Sequence, residues 1–442
     1  MRRTWMSAAA TLLVCGTAAA QAALQVEDVS GPVFRRKIVV TSPGVFKAEV
    51  WQSSGGGIMK FWDLAQDPEE KVNLAGWDRG LFEVGWHGAG FKGPDREDCC
   101  AKHIRNKTRF VKDEKTGEMV RDQCYDGCGD WPSAGHKTLK AMGELEVIEQ
   151  TPARVRVRVK APFVWWSSYV HKLEAAASYT FYPTGTIVIQ VRITNADERP
   201  FHWSGEFGPH LFLPSSKEDQ PVPDFILGTP KYADYTKDTK DLWPRPAAEE
   251  LAMAWHPDRK TSLFITIPPE AHKTFGRHMR HTFKGTWDRY GYGSGGVVMP
   301  PGYDDTWACM IQLCSAGGKS APPVNTPTAA LPFALEYREP AKITGATLVT
   351  DDPGDFNKDG YNESEGCHVF RGPGPLAFTY EKGKGAGFCP AFKVVGWAGE
   401  APKTVKIDGK AVEAASGVVD GKLILQVLGT VAAEKAGIEI AR

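Results

Sequence analysis

The chain has no surplus of either charge. Lysine and arginine number 53, and so do aspartate and glutamate. A molecule without a basic excess has no general pull on nucleic acid, so any anion it recognises must meet a local basic cluster. Beyond the first residues it also lacks long apolar runs. No later segment approaches the roughly 18 apolar residues of a membrane helix, and no membrane span is expected. Convincing amphipathic helices are scarce throughout. A nucleotide-binding phosphate loop is missing as well: Gly317-Gly-Lys-Ser320 lacks the wider glycine spacing, and Pro322 and Pro323 oppose the helix that should follow.

The amino-terminal residues carry a targeting pattern. Arg2 and Arg3 are followed by a small apolar stretch from Ala8 to Ala20, and Ala20-Gln-Ala22 fits the A-x-A cleavage rule. Residues 1–22 are therefore expected to be a signal peptide cut after Ala22, which predicts a secreted or periplasmic protein. Val14 is a poor neighbour for a lipidated Cys15. The other eight cysteines form an even set, which in an exported chain suggests disulfides. Cys99, Cys100, Cys124 and Cys128 crowd one segment, while Cys309 with Cys314 and Cys367 with Cys389 are expected further pairs. The CC…CxxxC spacing of the first four is not the paired arrangement of a zinc site.

With 442 residues, 42% of them hydrophobic, the chain has room for two or three domains. Residues 23–95 read as strands with glycine-rich turns. Residues 96–140 are charged and rich in cysteine, an excursion that borders an active site or forms a surface flap. In 144–160 the alternation returns, with Val155, Val157 and Val159 on one face and Arg154, Arg156 and Arg158 on the other, a row expected on a solvated outer sheet face. Ser262–Ile267 and Thr306–Leu313 read as strands. Asp408-Gly409 and Asp420-Gly421 are hairpin signals. The expected division is a large β domain over 23–340 and a small one over 341–442.

The segment His171–Pro214 carries the most information. Ile187, Ile189, Val191 and Ile193 alternate with Val188, Gln190 and Arg192, the period of a half-buried strand. Asn195-Ala-Asp197 ends it, and Gly208-Pro-His210-Leu-Phe-Leu-Pro214 follows. This order resembles the galactose-mutarotase-like superfamily of carbohydrate-active proteins. The resemblance implies a mainly β fold: a large galactose-mutarotase-like β-supersandwich followed by a small C-terminal β-sandwich. It also implies that His210 is a proton donor near a sugar. The late glutamate base of such epimerases has no motif here, and Glu270 and Glu336 are the candidates. The same scaffold serves epimerases, lyases and non-catalytic domains.

Three constellations have chemistry to offer. Asp355, Asn357, Asp359, Tyr361 (through its carbonyl), Glu363 and Glu365 match the front half of a calcium loop, with Gly360 at the sharp turn. Gly366 stands where the twelfth-position acid belongs, so the acid falls one place early, at Glu365; the expected role of Ca2+ is structural. The run 277–296 gathers Arg277, Arg280, His281, Trp287, Arg289 and Tyr290 with flexible glycines. Arginine holds a carboxylate, and histidine or tyrosine moves a proton, the set that β-elimination on a uronic acid requires. Glu206 and His210, with His171, His202 and Trp203 nearby, form the third. Trp86, Trp165, Trp166, Trp203 and Trp287 are candidate platforms for sugar rings, and His87 stands between glycines. The expected function is a polysaccharide lyase acting on uronic-acid-containing glycans. An aldose epimerase, a glycoside hydrolase and a non-catalytic glycan-binding protein are the alternatives.

Overall fold

The computed structural model describes residues 23–31, 35–52, 56–75, 81–86, 89–91, 109–112, 119–122, 144–164, 170–196, 198, 201–203, 207–213, 224–227, 234–235, 242–246, 251–255, 260–270, 278–283, 288–293, 298–316, 321–324 and 326–441. In the strands within 82–122, 161–175, 201–246 and 278–298 the description is of backbone pairing. The expected excursion, apart from the short hairpin of Arg109–Lys112 with Met119–Asp122, lies outside the described residues. So do residues 1–22 and the four crowded cysteines.

Runs rich in β-branched and aromatic residues become strands, as their side chains favour a pleated surface. The largest sheet has nine antiparallel strands. Thr186–Asn195 lies near its middle, between Val170–Phe181 and Tyr303–Ser315, with Ile189 opposite both Tyr179 and Cys309. Ile187, Ile189, Val191 and Ile193 join Val155, Val157 and Val159 in one core. That core continues into Ile38, Val40, Phe46 and Ile58 of an N-terminal four-stranded sheet.

The opposite face is covered too. Val188, Met310 and Phe264 pack with Ala330, Ala334 and Tyr337 of the helix Pro327–Arg338, and with Tyr361, Cys367 and Val369 further on. The half-buried expectation for Thr186–Asn195 therefore understates its burial, because Val188 lies under a second layer. Pro322 and Pro323 do not exclude a helix slightly later. Thr326 caps it, its hydroxyl accepting from the Ala329 N–H at 3.2 Å, and Pro327 takes the first turn, where no N–H is needed.

The C-terminal residues form two five-stranded sheets around Phe370, Phe378, Tyr380, Phe392, Leu425 and Ile438. Asp408 and Gly409 have φ of 49° and 75°, and Asp420 and Gly421 have 48° and 66°. Positive φ at both central residues is what a two-residue hairpin turn demands.

Two expectations are corrected. Cys309, Cys314, Cys367 and Cys389 are free, buried thiols rather than disulfides. Cys309 and Cys314 share one strand, and five residues of strand span about 17 Å, beyond the reach of a disulfide. The arginine row is not wholly solvated either. Arg154 is 1% exposed, and only Arg158 of the three is out in solvent, paired with Glu146. No described helix is long and apolar enough to cross a membrane.

Candidate functional site

A third five-stranded sheet runs in the order Leu242–Pro246, His278–Phe283, Asp288–Gly293, Phe207–Leu213, Phe82–Trp86. It brings the His210 strand and the basic-aromatic run side by side. His210 lies opposite Glu83 on one neighbour and Gly291 on the other, and Gly291 lies opposite Arg280. Arg289, two positions from Gly291, pairs with Phe212 and Thr282. Successive strand residues alternate between faces. The positions of Glu83, His210, Arg280 and Arg289 thus belong to one face. Tyr290 and His281, opposite each other, belong to the alternate face with Leu211 and Phe82. Trp86, opposite Phe207, falls in that second set.

Trp203 sits in a separate three-stranded sheet, in a strand that pairs Phe201 with both Phe91 and Met299. Asn195 fastens the end of its own strand to this region. Its amide donates to the Met299 carbonyl at 2.9 Å and the Pro300 carbonyl at 3.3 Å. His87, Trp165, Trp166, Glu206, Arg277 and Trp287 lie outside the described residues. Glu83 was not found from the sequence, because no local motif surrounds it and only the pairing of Phe82–Trp86 with Phe207–Leu213 brings it opposite His210.

The 355–363 loop closes on itself. Carboxylate oxygens of Asp355, Asp359 and Glu363 lie within 4.8 Å of one another. Asp355 accepts from the N–H groups of Lys358 at 2.6 Å, Asp359 at 3.2 Å and Gly360 at 2.8 Å. Gly360 has φ of 89°, and a Cβ there would stand 2.8 Å from Leu348. Asn357 accepts from the Asp359 N–H at 3.0 Å, and Glu363 from the Phe356 N–H at 2.8 Å. Burial, with Asp359 and Asp355 adding repulsion, pushes the Glu363 carboxyl up to about 8.

Glu365, expected among the same ligands, is engaged elsewhere. It meets Arg154 at 2.8 Å, Arg156 at 3.1 Å and Lys393 at 3.0 Å. Arg154 also forks onto Glu149, and Lys393 reaches Asp352 at 3.0 Å. Burial alone would raise the Glu365 carboxyl, but the three cations outweigh it and hold it well below the usual carboxylate range. This buried cluster joins the nine-stranded sheet to the C-terminal sheets. Several of the tryptophans are structural: Trp62, Trp307 and Trp397 are buried.

No family model and no curated protein sequence matches the chain. Among solved structures it is similar to a galactose 1-epimerase from Lactobacillus acidophilus, at 10% identity and a TM-score of 0.37 over 66% of this chain and 99% of that one. A putative aldose 1-epimerase from Escherichia coli K12 gives 10%, a TM-score of 0.34, and 66% and 99%. A GH36 α-galactosidase from Geobacillus stearothermophilus gives 7%, 0.38, and 73% of this chain against 45% of that one. A TPR-domain containing protein from Parabacteroides distasonis is matched over 53% of its length, so the chain spans about half of that protein. Scores this low transfer no activity. The class of the protein rests on its own sheets: a mainly β chain in which one large sheet is covered on both faces.

Proposed function

We propose that this chain is a secreted or periplasmic carbohydrate-active enzyme that cleaves uronic-acid-containing glycans by β-elimination. The observation that supports this reading is the register Glu83–His210–Gly291–Arg280, with Arg289 two positions away on the same face. Three segments remote in sequence contribute the positions of two arginines, a histidine and an acid to one sheet face. Arg280 and Arg289 would neutralise the sugar carboxylate, which acidifies the adjoining C–H. His210 would take that proton, the C–H electron pair would form the C=C bond, and the His210 imidazolium would return the proton to the departing glycosidic oxygen. Glu83 would steady the imidazolium. His281 and Tyr290, at alternate positions, take no step in this scheme.

A panel of uronic acid polysaccharides, followed by the ultraviolet absorbance of the new conjugated double bond, tests it. Activity should fall about 100-fold or more in His210→Ala and in Arg280→Ala. Glycan binding without turnover on any polymer would replace the lyase with a binding protein. The direct opposition of His210 and Glu83 also suits an acid–base couple for aldose epimerisation. Anomer interconversion without unsaturation would select that reading, and new reducing ends without unsaturation would select hydrolysis.

The oxygen donors of Asp355, Asn357, Asp359, Tyr361 and Glu363 support a structural Ca2+ ion, since calcium takes many hard oxygen ligands. Added calcium should raise the unfolding temperature of chelator-treated protein, with about 2.7 kcal/mol of stabilisation at a hundredfold excess over Kd. Asp355→Ala should abolish the shift. A melting curve indifferent to calcium and to chelator would remove the ion from this loop.

A further inference from the structure

Between the nine-stranded sheet, the helix Pro327–Arg338 and the C-terminal sheets lies a cavity of about 60 Å3. This is ample room for water or for a small polar group. Its walls are largely aromatic: Phe333 and Phe388 meet edge to face at 5.3 Å, and Tyr337 and Tyr361 at 6.3 Å. Among the described residues no lysine or arginine lines it, and burial pushes its one imidazole, His368, down to about 3, so that the ring is neutral. The acid at its wall is Glu336, whose carboxyl burial pushes up and which accepts from the Tyr380 hydroxyl at 2.5 Å and the Phe388 N–H at 3.1 Å. Among the described residues Glu336 forms no ion pair. Its nearest cationic influence, Lys382, is itself bonded to the Ala432 carbonyl and Glu434.

Two further features converge on this cavity. Gln426 is 3% exposed, and its amide NH2 is spent on the Cys389 carbonyl at 3.1 Å and the Thr184 hydroxyl at 3.2 Å. Its amide oxygen is buried with no hydrogen-bond partner. A buried acceptor left without a donor is costly, so a donor group bound in the cavity would relieve that cost. Cys389, also at the wall, holds a φ of 47°, a strained value for a residue with a side chain.

We propose that this cavity binds a small ammonium group, either the free ion or the amino head of a larger molecule. An unpaired carboxylate, a spare amide acceptor and aromatic faces without a competing cation form the recognition chemistry of an ammonium. An anion is disfavoured by Glu336. This site is separate from the sheet that carries His210 and does not depend on the saccharide reading.

The test titrates the full chain with ammonium chloride, methylammonium chloride and tetramethylammonium chloride, reading melting temperature and calorimetric heat. Sodium chloride at equal ionic strength and glycerol are the controls. Ammonium and methylammonium should each produce a saturable rise in melting temperature that the controls do not. A stronger effect of methylammonium than of the free ion identifies an amino head as the source, and the reverse identifies ammonium itself. Gln426→Leu should weaken the apparent affinity about tenfold or more, because it removes one charge-assisted hydrogen bond. Glu336→Gln should abolish the effect, and if that variant does not fold, Gln426→Leu decides alone. The proposal is overturned if no ammonium saturates, if glycerol gives the same shift, or if Gln426→Leu binds as well as the parent. The first of these outcomes would mean that the cavity holds water only.

Discussion

Glu365 stands one position short of the place where a calcium loop wants its acid, and its partners are three cations instead. An anion buried among Arg154, Arg156 and Lys393 is costly to remove, because the cations stay behind. Glu365→Gln should destabilise the protein by about 3–5 kcal/mol in urea unfolding; a loss well under 1 kcal/mol would show that the cluster adds little. Asp63 offers a pH-dependent counterpart. Burial raises its carboxyl, while Thr261 at 2.7 Å and the N–H groups of Ala65 and Gln66 oppose that rise. Its native form therefore holds the proton more tightly than the unfolded chain does. The associated stability is fully present below the unfolded value near 3.8 and is lost as pH rises through the higher native value. Asp63→Asn should flatten this part of the stability profile, and parallel profiles for parent and variant would refute it. These partnerships were not legible in the sequence. Alternation in 154–158 gave the two faces of a strand, but nothing local revealed that residues near 365 and 393 would cover one of them.

Strands and turns were the most readable elements, since their signals are local. The valines at 155, 157 and 159 and the Asp-Gly pairs at 408 and 420 state their conformations within a few residues. The helix Pro327–Arg338 was harder, because Pro322 and Pro323 masked a start that Thr326 provides four residues later. The thiol pairs failed because cysteine count carries no geometry. Where elements meet, glycine becomes decisive. Gly366 has φ of 69°, and a Cβ there would lie 2.7 Å from a Val188 methyl. Gly366→Ala should cost about 1–3 kcal/mol from overpacking and backbone strain, measurable as a lowered urea midpoint. An unchanged midpoint would show that the contact between Val188 and the 366 turn yields freely.

At the scale of the molecule, the candidate site was half legible. His210 and the run 277–296 stood out as chemistry, but pairing between remote strands leaves no local trace, so neither their adjacency nor Glu83 could be read. The same holds for the large sheet, whose second apolar face is covered, among the described residues, mainly by residues beyond 326. A version ending at residue 326 should accumulate as insoluble protein, whereas a soluble, cooperatively melting product would show that the outer face tolerates water. A wall papered on both sides cannot shed one covering, so recombination that carried off the C-terminal sheets would leave an orphan prone to clump. The two portions are bound to travel as a single heritable unit, and any replacement partner would have to bring the same greasy footprint.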